Sequence, residues 1–103
     1  MRRAKVFVNE IPAGILEEIE QGKKYRFIYD EGYAGEPVSL SMPVTQREYM
    51  FETFPPFFDG LLPEGIMLEG LLRQNKIDKE DYFSQLVAVG SDMVGAVKVE
   101  ELR

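Results

Sequence analysis

The residues able to do chemistry in this chain are few. Ser39 and Ser41 are hydroxyls two apart, Asp59 and Glu64 are carboxylates five apart, and Gly90-Ser91-Asp92-Met93-Val94-Gly95 is a glycine-bounded run. A serine nucleophile needs an adjacent base, and with no histidine and no cysteine in the sequence the commonest base, thiol nucleophile and soft metal ligands are missing together. Asp59 and Glu64 could form an acid–base pair. Their positions at the ends of short helical turns fit better with satisfying orphan backbone donors. In the glycine-bounded run Asp92 would repel a phosphate, so a tight turn into a following strand accounts for both glycines. Neither glycine-rich phosphate-cradling motif occurs. The sequence predicts a protein that is not an enzyme, with no cofactor and no metal site.

The element these residues hang from is Pro55-Pro56-Phe57-Phe58-Asp59-Gly60-Leu61-Leu62-Pro63-Glu64-Gly65. Two prolines preset a first helical turn without losing a needed donor. Phe57, Phe58, Leu61 and Leu62 then share one apolar face, which places this block at the centre of the core. Before it, Lys5-Val6-Phe7-Val8, Ile15-Leu16-Glu17 and Tyr25 to Tyr29 read as three antiparallel strands, separated by turns at Asn9 to Gly14 and Gln21 to Lys23. Pro37 to Pro43 alternates strictly and predicts a short strand with Val38, Leu40 and Met42 inward, and Thr45 to Thr53 reads as irregular. After the block, Leu68, Leu71 and Leu72 mark a helix. Asp78 is the expected cap of another, from Lys79 to about Val89, with Tyr82, Phe83, Leu86 and Val87 as its buried stripe. A strand at Ala96 to Glu100 completes the pattern. The expected fold is α+β: one domain over residues 1–103, an antiparallel sheet with about three short helices on one face.

Composition narrows the function classes. Apolar residues at 45%, including five tyrosines and seven phenylalanines, suffice for one core. The net charge of −6 argues against direct nucleic-acid binding, and the basic clusters Arg2-Arg3-Lys5 and Lys23-Lys24-Arg26 read as solvated strand faces. No apolar run is long enough to cross a bilayer and no signal peptide is recognisable, so a cytoplasmic location without membrane contact is expected. Ile66 and Met67, at the mouth of the middle helix, admit two readings: a hydrophobic staple onto Leu71, or an apolar plug offered to a partner.

Three blocks, Pro37 to Pro43, Phe57 to Gly65 and Gly90 to Val97, resemble in order the N-terminal subdomain of HipA-type serine/threonine kinases, the toxins of bacterial toxin–antitoxin modules. The chain ends at Arg103, before any kinase core, so no catalytic residue of that family carries over. It is similar to the stand-alone HipS-type proteins of three-gene HipBST systems. That resemblance implies an antitoxin that binds and neutralises a HipT-like kinase toxin, with a HipB-like DNA-binding protein in a larger complex. Partner-binding residues are then expected at Asp59, Pro63, Glu64, Gly65, Ile66 and Met67, close to the kinase cleft. The alternatives are a subunit that completes the kinase in trans without inhibiting it, and a corepressor partner in the operator complex.

Overall fold

The computed structural model describes residues 1–93 and 95–102; Val94, in the expected turn before the last strand, and the terminal Arg103 lie outside the described residues. Alternation along the chain becomes alternation across a sheet. Strands β1 (Arg2–Val8), β2 (Ile11–Glu20), β3 (Lys24–Tyr29), β4 (Glu48–Phe51) and β5 (Val97–Leu102) form one antiparallel sheet in the order β4-β3-β2-β1-β5. Period-two side chains put Ala4, Val6, Leu16, Tyr25, Phe27, Tyr29 and Val99 on one face, all buried. Lys5, Ile15, Glu17, Arg26 and Ile28 lie on the other, where Arg26 pairs with Glu17 at 2.5 Å.

The inner face is covered by α1 (Pro56–Asp59) and α3 (Tyr82–Val89), the latter followed by a 3-10 turn over Gly90–Asp92, while α2 (Gly65–Asn75) packs on α3 from the same side. Phe58 of α1 and Phe83 and Leu86 of α3 have no exposed surface and fill the space above the sheet, with Phe58 tilted against Phe27 at 6.0 Å between ring centroids. The α+β reading, with the helices on one face, therefore holds. Close packing is strictest at Gly90, where a Cβ would lie 2.2 Å from the Val99 carbonyl oxygen of β5.

Several local expectations are corrected. The first turn is only Asn9-Glu10, both with positive φ, the mirror-image geometry that matches strand twist. Ile11 to Gly14 are therefore already strand, with a register shift opposite Val6/Phe7 that accommodates Pro12. Glu48–Phe51 is the edge strand β4, because pairing with β3 supplies what its mixed sequence does not advertise. Pro37 to Pro43 is no strand: it folds back on itself through a Ser39–Met42 bridge, leaving Val38 and Met42 buried and Leu40 turned outward. Asp81, not Asp78, caps α3, accepting the Ser84 backbone N–H at 3.2 Å, while Asp78 closes the preceding turn by accepting from the Glu80 N–H at 2.9 Å. In the stripe of α3, Phe83 and Leu86 are buried as expected. Gln85 joins them, its amide donating to the carbonyls of Asp78 and Lys79, while Val87 is half-buried and Tyr82, against the Phe54 ring, keeps 39% of its surface exposed.

Candidate functional site

Pro55 and Pro56 start α1 with backbone angles that need no donor, and two i−4 hydrogen bonds follow, Asp59 N–H to Pro55 and Gly60 N–H to Pro56, each at 3.0 Å. The helix then tightens: Leu61 N–H donates to Phe58 and Leu62 N–H to Asp59, both at 3.1 Å. With Phe58 buried, α1 is a fixed stub whose far end feeds Pro63, Glu64 and Gly65. Gly65 has φ +59, a left-handed conformation that other residues adopt at a cost, and it redirects the chain into α2. Asp59, Glu64 and Gly65 are exposed and Pro63 is half-buried. The expected capping role of Glu64 is not realised, since its backbone occupies the N-cap position but its side chain makes no cap hydrogen bond.

What this turn presents is apolar. Ile66 is 85% exposed and Met67 75% exposed, so neither side chain is stapled inward onto Leu71. Leu68, Leu71 and Leu72 are only half-buried, and α2 contains no buried residue. Beside it runs a groove of ≈ 480 Å³ between α2 and α3, lined by Leu61, Pro63, Met67, Leu71, Val89 and Met93. An eleven-residue helix with Gly70 inside it and no side-chain cap is marginal by itself, so its order depends on the few side chains that touch α3. Of the six residues expected to meet a partner, Asp59 ends α1, Pro63 and Glu64 lie in the connection, and Gly65, Ile66 and Met67 open α2; all but the half-buried Pro63 face solvent.

The other chemistry-bearing residues are brought into structural roles. Ser39 and Ser41 face one another at 2.9 Å between hydroxyl oxygens on the exposed turn. Among the described residues no group of three His, Cys, Asp or Glu side chains is placed to hold a metal ion. Arg2, expected on a solvated face, points instead into the helix side. Its guanidinium donates to Glu18 at 2.7 Å, to Ser84 at 2.7 Å and to Asp81 at 2.8 Å, and lies 5.0 Å from the centre of the Phe83 ring. Burial pushes the Asp81 carboxyl up, but hydrogen bonds from Arg2 and Ser84, with the Arg2 charge, outweigh it and leave the group below its ordinary value. Burial, reinforced by the Glu18 carboxylate, raises the Tyr25 phenol to about 12. This cluster ties the first strand to the last helix. Its signal in the sequence was a basic residue at an inward strand position opposite Glu18.

Comparison with known proteins gives the same arrangement a family context. The model of the HipA N-terminal domain matches residues 4–100. An uncharacterised protein of Haemophilus influenzae is 36% identical over 101 residues, covering 98% of this chain and 93% of that protein. A solved structure of the N-terminal domain of HipA toxin superposes with a TM-score of 0.78 at 31% identity, over 100% of this chain and 94% of the other.

Proposed function

Because this chain belongs to the HipA N-terminal domain family, we propose that it is a HipS-like antitoxin: a non-catalytic protein that binds a HipT-like serine/threonine kinase toxin and blocks it near its active cleft. The observation that carries the reading is the turn from Asp59 to Met67. A helix stub fixed by two prolines and a buried Phe58 leads through Pro63 and Glu64 into α2, whose first side chains, Ile66 and Met67, stand in solvent. Large apolar side chains on a rigid protrusion are the usual anchors of an interface, and Met adapts its shape to an irregular pocket. The carboxylates of Asp59 and Glu64 at the edge of the turn, on a chain of net charge −6, complement the basic lining that a nucleotide-phosphate cleft requires and would raise the association rate.

The test is phosphorylation by the HipT-like kinase of the same genome, measured with and without this chain at matched concentration. Inhibition by the natural sequence, and its loss in an Ile66→Asp/Met67→Asp variant, is the expected outcome. Binding that leaves activity unchanged or raises it would overturn inhibition in favour of a kinase-completing subunit.

A further inference from the structure

Leu40 is 95% exposed, more than any other large apolar side chain among the described residues, yet it is held with care. The backbone N–H of Met42 donates to the Ser39 carbonyl at 3.0 Å, and the N–H of Ser41 donates to the Ser39 hydroxyl at 3.2 Å, so the three tip residues are locked. Below them the buried Tyr29 hydroxyl spans the two arms, accepting from the Val38 N–H at 2.9 Å and donating to the Met42 carbonyl. Tyr33 stacks on Tyr29 with 3° between ring planes and 5.7 Å between centroids, and its own hydroxyl donates to the Glu36 carbonyl at 2.6 Å. Val38 and Met42 anchor the turn in the core. An apolar side chain exposed on a mobile loop needs no explanation. One raised on a pedestal of hydrogen bonds is preorganised, and preorganisation lowers the ordering cost of binding.

We propose that Leu40 is a second anchor for the kinase partner, seated in an apolar pocket on the same kinase that receives Ile66 and Met67; the inference rests on the kinase-binding reading. Charge selects the occupant. Exposed Glu31, Glu36 and Glu52 flank the turn in sequence against one exposed cation, Arg47, with Glu48 paired to Arg26; this net negative rim disfavours nucleic acid and anionic lipid and favours a protein surface with basic residues around an apolar hole. The surface between the two anchors is continuous in kind. A cavity of ≈ 230 Å³ joins Ser41 and Met42 to Phe51, Pro56 and Phe57, and Leu61 and Pro63, in the segment that follows α1, line the α2–α3 groove. An interface of standard size covers about 800 Å² per partner, a patch roughly 30 Å across. The molecule measures 39 × 28 × 25 Å, so a patch of that size spans either of its two shorter dimensions.

The experiment is calorimetric titration of a catalytically inactive HipT-like kinase of the same genome with the natural chain, with Leu40→Ala, and with Ile66→Asp/Met67→Asp. Leu40→Ala is expected to weaken binding about 10- to 100-fold, with an unchanged urea midpoint because the side chain contributes nothing to the core. Natural affinity in Leu40→Ala, with loss in the double variant, would overturn the second anchor and leave the kinase reading standing. Absence of binding by the natural chain would remove both. Light scattering supplies the remaining arm: a natural dimer that Leu40→Asp converts to monomer would assign the anchor to a second copy and overturn the proposal.

Discussion

Replacing Arg2 by alanine tests whether the first strand is held to α3 by charge. The guanidinium has 33% of its side-chain surface exposed, against 5% for the Glu18 side chain and 25% for that of Asp81, so the two ion pairs are not equivalent. Removing Arg2 leaves Glu18 charged and buried, a penalty of about 1–3 kcal/mol. The Tyr25 hydroxyl at 3.2 Å and the Gly22 N–H at 3.3 Å still donate to its other oxygen and keep the cost toward the lower part of that range. Asp81 is more exposed and retains its hydrogen bonds from Ser84, so that pair adds at most about 1 kcal/mol. Loss of the cation over the Phe83 ring adds about 0.5–1 kcal/mol. The expected loss is about 3 kcal/mol at pH 7, measured by urea unfolding followed by far-ultraviolet circular dichroism. Its pH dependence has a definite sign. Asp81 has a folded value lowered below 3.8, so its contribution is present above that pH and is lost as pH falls through the lowered value. The stability gap between natural chain and variant should therefore hold from pH 7 down to near 3.8 and narrow below it. A gap under about 0.5 kcal/mol at pH 7, or one independent of pH, would refute the reasoning.

Two further perturbations probe packing and burial. Gly90→Ala would drive a methyl group into the Val99 carbonyl at 2.2 Å, backbone against backbone, so the 3-10 turn must separate from β5; an unfolding free energy lower by about 3 kcal/mol or more is expected in denaturant titration, and a neutral result would show that the turn yields freely. At alkaline pH the Tyr25 phenol, raised to about 12 from 10.0, favours the fold fully below pH 10, and that stability is lost as pH rises toward 12; burial also raises Tyr29, so absorbance at 295 nm should show a late step of buried tyrosines ionising together with unfolding, whereas ionisation of every tyrosine near pH 10 with the dichroism intact would contradict it.

The parts of the fold legible in the sequence are those in which one residue property repeats with one period. Tyr25, Phe27 and Tyr29 alternate and are buried together; Phe58 sits in a proline-opened apolar block and lies at the core. What misled was alternation without a sheet to receive it. Val38, Leu40 and Met42 have strand periodicity, but the arms are pinned by the hydroxyl of Tyr29, nine residues before Val38, and a tight turn reverses the middle residue. Such a long-range clamp leaves no periodic trace. The same holds for Arg2, whose role depends on Glu18 across the strand pair and on Asp81, 79 residues away. At α3, two acidic residues competed for one cap and the nearer one won, since Asp78 is used by its own turn. The exposed tip at Ile66-Met67 was legible because Leu68, Leu71 and Leu72 already supply the inward stripe of α2.

That division has a functional consequence. The core of this domain is made by the sheet, α1 and α3, and α2 adds no fully buried residue to it, only the half-buried Leu68, Leu71 and Leu72. Free energy that could have gone into burying Ile66, Met67 and Leu40 inside the chain is left unspent, since each is more than 70% exposed. Full burial of such a side chain is worth about 1.5–3 kcal/mol, so three of them hold more than the marginal stability of α2 requires. A monomer gains nothing from this arrangement, and the two protrusions are held by different means: a proline-started helix stub in one case, a tyrosine clamp in the other. Independent rigid supports for exposed apolar residues favour a partner whose pockets are already formed over one that folds on binding. A preformed partner predicts that Ile66→Asp/Met67→Asp and Leu40→Ala act mainly on the dissociation rate and leave the association rate to the acidic rim. Stopped-flow mixing with the kinase separates the two rates. A fall in association rate from Leu40→Ala, with dissociation unchanged, would instead mean that the kinase reorganises before it can accept the turn.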